Sequence, residues 1–366
     1  MKTTKLILAG GFLGAGKTTL LWKAAQKLTE NGLRTGLITN DQAPELVDSR
    51  FLSLHDLPVA EVSGSCFCCN FNGFTEAIQM IRIEAAADVI IAEPVGSCAD
   101  LSATIMQPLK QYWSRELQLA PLSVLADPAR LASILDGGNA GLHPDAAYIY
   151  RKQLEEADII LINKSDLLDE EQSEILKQRT AQAFPSATIL AVSAMNGTGI
   201  DEWLSQVTTR PDAGKRLVDM DYDIYAHGEA VLGWLNGTVQ LQGGNTDWDQ
   251  FTRSLLTNLA VCFDRENLPV GHVKVITENG DRYIAGNLTG NAGTLAVRGS
   301  AGCGETCKLI INARVETSPE NLDLIIRQTL DTLCAAGKCT PEVLAWRYLQ
   351  PGRPKPTHRF TQVVEG

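Results

Sequence analysis

The sequence is short of positive charge, of histidine and of long apolar runs. Lys and Arg number 32 against 43 Asp and Glu, a formal net charge of −11. The broad basic surface that a phosphate backbone requires is missing, so nucleic acid is not expected as a partner. No stretch reaches the roughly 18 apolar residues of a membrane span, so no membrane association is expected. The start, Met1-Lys2-Thr3-Thr4-Lys5, leads into an apolar run too short for a signal peptide, and the expected compartment is the cytoplasm. The five histidines are scattered at 55, 143, 227, 272 and 358, which excludes a His-rich metal-storage stretch. Low-complexity segments and internal repeats are also lacking.

What is present reads as an ordinary globular chain. Hydrophobic residues make up 44% and charged residues 20% of 366, and at about 150 residues per domain the length predicts two domains. Nine cysteines, an odd number in an expected reducing compartment, read as thiols and metal ligands rather than a disulfide framework.

Up to about residue 208, short apolar runs alternate with longer amphipathic stretches. Lys5–Ala9, Thr35–Thr39, Val89–Ala92, Leu122–Ala126, Ile159–Asn163 and Thr188–Val192 read as buried strands, and Lys17–Glu30 and Glu170–Phe184 as helices. That alternation predicts an α/β fold, a doubly wound parallel sheet with helices on both faces. The polar, Pro- and Gly-containing Thr208–Lys215 marks a boundary. The expected organisation is a first domain over 1–208, a linker over 209–219, a smaller α+β domain over 220–350 and a tail over 351–366. In the second domain Ala230–Leu241, His272–Thr277, Asp281–Leu288 and Lys308–Val315 read as strands, Trp248–Leu259 and Pro319–Leu333 as helices. Asp219, Asp221 and Asp223 alternate as on a solvated edge strand, and Trp234 reads as core. The Pro-rich tail is expected to be extended and mobile.

Gly11-Phe12-Leu13-Gly14-Ala15-Gly16-Lys17-Thr18 fills the pattern G-x-x-x-x-G-K-[ST] between a predicted strand and a predicted helix. The glycines let backbone N–H groups converge on phosphates at a helix N-terminus. Gly11, Gly14, Ala15, Gly16, Lys17, Thr18 and Thr19 are therefore candidate phosphate contacts, with Lys17 at the β/γ-phosphates and the Thr18 hydroxyl on Mg²⁺. Asn163-Lys164-Ser165-Asp166 closes a later strand. There the Asp166 carboxylate suits the N1–H and exocyclic amine of guanine, a donor pair that adenine lacks. Ser193 and Ala194 at the next strand end resemble the short element with which GTPases touch the guanine oxygen. GTP is thus expected over ATP, and a P-loop kinase, which has no use for Asn163–Asp166, is a distant reading.

Glu93, at the end of an apolar strand and followed by Gly96, stands where a carboxylate beside Mg²⁺ belongs and can also orient an attacking water. Cys66-Phe67-Cys68-Cys69 puts three thiols into four residues. Sequence neighbours cannot all face one core, so they read as soft ligands for a transition metal, with a fourth ligand or a water completing a tetrahedron. Redox chemistry is the alternative for them.

Together the loop, Cys66-x-Cys68-Cys69, Glu93-x-x-Gly96 and Asn163-Lys164-x-Asp166 resemble the CobW-type metallochaperone GTPases, relatives of the HypB and UreG nickel-insertion proteins. The resemblance covers nearly all of residues 5–205. It implies a P-loop GTPase with slow intrinsic hydrolysis, Mg²⁺ as cofactor, Zn²⁺, or else Co²⁺ or Ni²⁺, on the three cysteines, and a client metalloprotein as partner. No arginine finger is evident in the sequence, which leaves a client protein or a dimer partner to supply one, and since the fold's relatives often pair across the nucleotide, a GTP-dependent homodimer is a further expectation. The family's Asn-Glu-Phe-Gly after the second strand is replaced by Asn40-Asp41-Gln42-Ala43-Pro44. Asp41 stands in for the family's Glu as a metal or Mg²⁺ contact, and Asp48 matches a family Asp expected near Mg²⁺. The missing Gly and the missing His stretch keep a second reading open: a GTP-gated chaperone or regulatory module for a cobalamin-dependent or other metalloprotein, with a structural metal. Cys303, Cys307, Cys334 and Cys339 are spaced more loosely than usual metal knuckles and read first as packed or surface thiols.

Overall fold

The computed structural model describes residues 3–41, 57–290 and 295–365. The first sheet comprises β1 (Thr4–Gly11), β2 (Thr35–Asp41), β3 (Val59–Ser63), β4 (Val89–Glu93), β5 (Leu117–Leu119), β6 (Ser123–Ala126), β7 (Ile159–Ile162) and β8 (Thr188–Ala191). Their order is β3-β2-β4-β1-β6-β7-β8, all parallel, with β5 pairing the start of β1 while β6 pairs its end. The described helices are α1 (Lys17–Glu30), α2 (Phe71–Glu84), α3 (Gln107–Trp113), α4 (Pro128–Leu135), α5 (Pro144–Glu156), α6 (Glu170–Ala183), α7 (Ile200–Thr209) and α8 (Tyr222–Ala230) in the first part of the chain. They are followed by α9 (Trp248–Arg265) and α10 (Pro319–Gly337).

The alternation of β1 explains the two helical layers. Leu6 and Leu8 point into one apolar cluster with Phe74 and Ile78 of α2 and Ile149 of α5. Ile7 and Ala9 point into another with Leu20, Leu21 and Ala24 of α1 and Trp203 of α7. A strand buried on both faces needs apolar residues at every position, which is why these strands are continuous apolar runs and the sheet is parallel.

The second sheet is antiparallel, in the order β12 (Leu295–Ser300), β11 (Arg282–Leu288), β10 (Val270–Asn279), β13 (Cys303–Val315), β9 (Gly233–Asp247) and β14 (Thr340–Leu349). Helices α9 and α10 cover one face, burying Trp248, Leu255, Leu259, Leu322 and Ile326. Cys307, Cys334 and Cys339 are buried in this core, and Cys303 is exposed. Trp234 is core, with the Arg314 guanidinium 4.1 Å above its ring.

Several expectations are corrected. Asp219, Asp221 and Asp223 do not share a strand face. Asp221 caps α8, its carboxylate accepting from the N–H groups of Asp223 at 2.8 Å and Ile224 at 3.2 Å. A short carboxylate bonded to its own backbone starts a helix more readily than it extends a strand. The strand expected from Ala230 therefore begins at Gly233. The segment expected as a linker lies on the first unit, with Gly214 bonded to Asp158 and Gln107, and Ala213 and Val218 in that unit's core. The tail is extended but held. Arg359 pairs with buried Asp100 at 2.7 Å, and Phe360 N–H and Val364 N–H donate to Ala103 O and the Gln107 side chain. Lys355 N–H and Thr357 N–H likewise donate to Cys69 Sγ and Cys68 O of the first unit.

Candidate nucleotide and metal site

The phosphate loop runs from the end of β1 into α1. Gly16 caps α1 with φ 89°, and a Cβ there would meet Asn163 Nδ2 at 2.5 Å, so both conformation and contact demand glycine. The Asn163 side chain is consumed in bracing: Nδ2 donates to Ala15 O at 2.8 Å, and Oδ1 accepts from Ala194 N at 3.0 Å. Lys17 Nζ donates to Gly11 O at 2.8 Å. The Thr18 hydroxyl donates to Glu93 Oε1 at 3.1 Å, and both side chains are buried. A hydroxyl and a carboxylate juxtaposed at the start of a helix, with a cradle only glycines permit, fit a Mg²⁺-bound triphosphate.

Lys164 takes a left-handed conformation, φ 59°, and its ammonium pairs with Asp127 at 2.8 Å. The Ser193 hydroxyl donates to Asp166, and Ala194 follows directly, so the residues expected at guanine converge at the ends of β7 and β8. A cavity of about 810 Å³ lies to one side of this box, against Asp127, Arg130, Leu167 and Gln172, and reaches the phosphate loop only at Gly14.

The second sheet closes over the loop, which the sequence did not foretell. Arg130 donates to Leu13 O at 2.8 Å and to Val270 O at 3.0 Å, tying loop to sheet. From β10, Lys274 Nζ lies 3.5 Å from Thr18 Oγ1, and from β12, Arg298 lies 3.2 Å from Thr19 Oγ1. Between them is a cavity of about 140 Å³ bordered by Lys17, Thr18, Glu93 and His272. Burial, and then the positive charges of Lys274, Arg314, Lys17 and Arg130, hold the His272 imidazole well below its usual range. It is neutral at ordinary pH.

The three clustered cysteines do face one way. A tight turn, with Cys69 N–H and Asn70 N–H both donating to Cys66 O, brings the thiols together just before Asn70 caps α2. Cys66 Sγ and Cys68 Sγ are 3.1 Å apart, Cys68 Sγ and Cys69 Sγ 3.9 Å. Tetrahedral thiolates on zinc stand roughly 3.8 Å apart, so small adjustments seat an ion. The turn hangs from β2: Asn40 accepts from Phe67 N at 2.8 Å and donates to Val62 O and Ser65 O. Hydrogen bonds from Cys68, then Cys69 and Cys98, hold the Cys66 thiol well below its usual range. Its neighbours Cys68 and Cys98 are correspondingly pushed well up, and Cys69 to about 11. The tail passes over the open flank, where Lys355 N–H donates to Cys69 Sγ at 3.2 Å and Thr357 N–H to Cys68 O at 2.8 Å.

Asp48 lies outside the described residues, as do Gln42, Ala43 and Pro44, and of Asp41 only the backbone at the end of β2 is described. Gly96 touches the nucleotide loop directly, since a Cβ there would meet Leu13 Cδ2 at 2.6 Å and Lys17 Nζ at 3.1 Å. Sequence reasoning missed Cys98, Glu229 and Tyr225 beside the thiols, and Lys274 and Arg298 at the loop. For Cys98 there was a signal, its place two residues after Gly96; for the others there was none. His143 and His227, far apart in sequence, meet at Asp145, with His227 Nδ1 2.5 Å from its carboxylate.

Comparisons with known proteins follow the same lines. A family model described as "CobW/HypB/UreG, nucleotide-binding domain" matches residues 5–191, just over half of the chain. The zinc chaperone YeiR of Escherichia coli K12 is 26% identical over 180 residues, 48% of this chain and 51% of YeiR. The zinc-regulated GTPase metalloprotein activator 1 of Schizosaccharomyces pombe is 27% identical over 179 residues, 46% of this chain and 40% of that protein. The zinc chaperone CobW of Sinorhizobium sp. is 26% identical over 185 residues, 43% of this chain and 50% of CobW. The chain thus spans about half the length of the curated relatives it matches. Among solved structures, HypB of Archaeoglobus fulgidus is 16% identical with a TM-score of 0.39, covering 56% of this chain and 87% of HypB. The Zn(II)-bound YjiA GTPase of E. coli is 16% identical with a TM-score of 0.37, covering 91% and 99%. With the phosphate loop, Asn163–Asp166 and the cysteine turn set on one parallel sheet, the chain belongs to the CobW/HypB/UreG family.

Proposed function

We propose that the chain is a slow GTPase whose nucleotide state governs capture and release of a transition metal on Cys66, Cys68 and Cys69, for transfer to a client metalloprotein. The single observation that carries this reading is the shared scaffold of the two sites. The cysteine turn hangs from Asn40 of β2, and the adjacent strand β4 ends in Glu93, bonded to Thr18 of the phosphate loop. A change at the phosphates is thereby mechanically linked to the thiols.

In this reading Gly11 and Gly14–Thr19 hold the phosphates, Thr18 and Glu93 hold Mg²⁺, and Asp166, Lys164, Ser193 and Ala194 select guanine. Lys17 stabilises charge on the transferring phosphoryl group, and Glu93 orients water. Bound Mg²⁺ would supply charge neutralisation at the phosphates. Relatives named as zinc chaperones make Zn²⁺ the first cargo to test, with Co²⁺ and Ni²⁺ next. A GTP-dependent dimer belongs to the same reading. Crosslinking that yields only monomer with a GTP analogue and metal bound would remove it.

The test is chelator competition on the reduced protein, with GDP and with a non-hydrolysable GTP analogue. A tenfold or larger difference in metal affinity, about 1.4 kcal/mol, that disappears in Cys68→Ser is expected. Linkage requires an equal effect of metal on nucleotide affinity. Equal metal affinity in both nucleotide states would instead favour a regulatory module with a retained structural metal. The burial of Cys66 and Cys68, at 5% and 2% exposed, and the tail across Cys69 speak for that second reading.

A further inference from the structure

Two of the scattered histidines converge at a place that belongs neither to the phosphate loop nor to the cysteine turn. His143 stands directly before α5, and His227 lies on α8. One nitrogen of each and a carboxylate oxygen of Asp145 all lie within 4.8 Å of one another. His227 Nδ1 is 2.5 Å from Asp145 Oδ2, and His143 Nδ1 is 3.8 Å from the same oxygen. The two rings meet edge to face, 5.2 Å between centroids. Nitrogen and oxygen donors on tetrahedral zinc stand roughly 3.3 Å apart, so one separation has to open and the other to close, each by less than about 1 Å. The side chains of His227, His143 and Asp145 are 59%, 33% and 30% exposed, so they can make that adjustment and an ion can reach them.

Two local choices in the sequence create this convergence, and helix formation accounts for neither. His143 caps α5, its Nδ1 accepting from Asp145 N–H at 3.2 Å, although histidine is not among the side chains that cap helices well. Gly228 sits inside α8, where glycine weakens a helix. A Cβ there would meet Asp145 O at 2.4 Å. The missing Cβ lets α8 lie against the first turn of α5 and sets His227 over Asp145. The Tyr148 hydroxyl, accepting from Asp221 N–H at 2.7 Å, fastens the two helices a second time. Glu316, just after β13, accepts from His143 N–H at 3.0 Å and fixes the backbone of that histidine from the second unit.

We propose that His143, Asp145 and His227 form a second metal site, which takes a divalent transition ion through two imidazole nitrogens and one carboxylate oxygen, with solvent completing the coordination. The site is independent of the three cysteines and of the nucleotide. Its donors suit Zn²⁺, Co²⁺ or Ni²⁺ rather than Cu⁺, which softer sulfur ligands select. On binding, the lone pair of His143 Nδ1 that accepts from Asp145 N–H would pass to the ion. An ion here ties α8 to α5. The same α8 also holds the segment that follows Glu93, since Glu229 accepts from the Ser97 hydroxyl at 2.5 Å and the Tyr225 hydroxyl from Ala99 N–H at 3.2 Å. Occupancy would therefore stabilise the packing of α8 on the first unit.

The test uses the full, reduced chain without an affinity tag, titrated with Co²⁺ and then with Zn²⁺ in chelator competition. Beside any ion that gives thiolate-to-cobalt charge-transfer bands, a further equivalent should appear with ligand-field bands alone. His227→Ala and Asp145→Asn should each weaken that equivalent at least about tenfold, the scale on which metal sites respond even to changes around their ligands. Both variants should leave the thiolate bands unchanged, and His358→Ala, on the tail, should leave the sulfur-free equivalent intact. His227 is more than half exposed, so its replacement leaves the core packed. Co²⁺ uptake with thiolate bands only would overturn the proposal, as would a sulfur-free equivalent that keeps its full affinity in His227→Ala. A chain that shows the sulfur-free equivalent and no thiolate bands would count against the cysteine reading and leave this site standing.

Discussion

The ammonium of Lys274 stands 3.5 Å from the hydroxyl of Thr18, so a strand of the second sheet places a cation on the first turn of the nucleotide helix. Arg298 does the same at Thr19. Two cations beside the phosphate loop favour the more highly charged nucleotide. Lys274→Ala is therefore expected to reduce the preference for GTP over GDP by about tenfold, the scale of one charge-assisted hydrogen bond. Titration with fluorescent GTP and GDP analogues checks it. An unchanged ratio would mean that Lys274 only braces the two sheets.

The guanine box makes a sharper prediction. Asp166 presents an acceptor, held by the Ser193 hydroxyl. Asp166→Asn replaces one oxygen by an amide donor, which suits the 2-oxo group of xanthine and opposes the 2-amine of guanine. GTP affinity should fall by roughly 10² or more, because buried polar groups are left mispaired. Xanthosine triphosphate should bind in its place. Comparable losses for both nucleotides would argue for a folding defect instead.

Removing residues 353–366 uncovers Cys69, whose sulfur accepts from Lys355 N–H, and deletes the Arg359 partner of buried Asp100. Reaction of Cys69 with a thiol reagent is expected to accelerate several-fold. Stability should fall by about 1–3 kcal/mol, because loss of the partly exposed arginine leaves the buried Asp100 carboxylate with the Tyr222 hydroxyl but no cation. Denaturant titration reads the second effect. An unchanged rate of thiol modification would show that the tail does not guard the cluster.

Glu156, at the end of α5, accepts from Ser102 N–H at 2.9 Å, and burial pushes its carboxyl up to about 8. The folded chain thus holds this proton more tightly than the unfolded chain does. Its stabilising contribution is complete below the ordinary carboxyl range and is lost as pH rises toward about 8. Glu156→Gln, which cannot ionise, should gain on the wild type across that window. The slope should approach about 1.4 kcal/mol per pH unit. Parallel stability curves for the two proteins between pH 5 and 8 would contradict the assignment.

The sequence carries local chemistry. The phosphate loop, Asn163–Asp166, Glu93 and the cysteine turn each stand out in the sequence because particular residue types fall there at short spacing. The parallel sheet is legible because strands buried on both faces must be apolar throughout. Strands β3, β5 and β14 escaped notice: β3 and β5 are short, and β14 opens on Thr-Pro-Glu and has Arg347 among its apolar residues, so none shows a clean run or alternation. The aspartates at 219–223 misled because side-chain capping overrode a period-two pattern.

By itself, then, the sequence determined the nucleotide-binding sheet and which thiols form the cysteine turn. Only the tertiary structure decided what meets them. Lys274 and Arg298 reach the phosphate loop from another sheet, and Lys355 returns from the tail to cover Cys69. Such contacts depend on how whole layers pack, and packing is set by summed apolar burial rather than by any local run of residues.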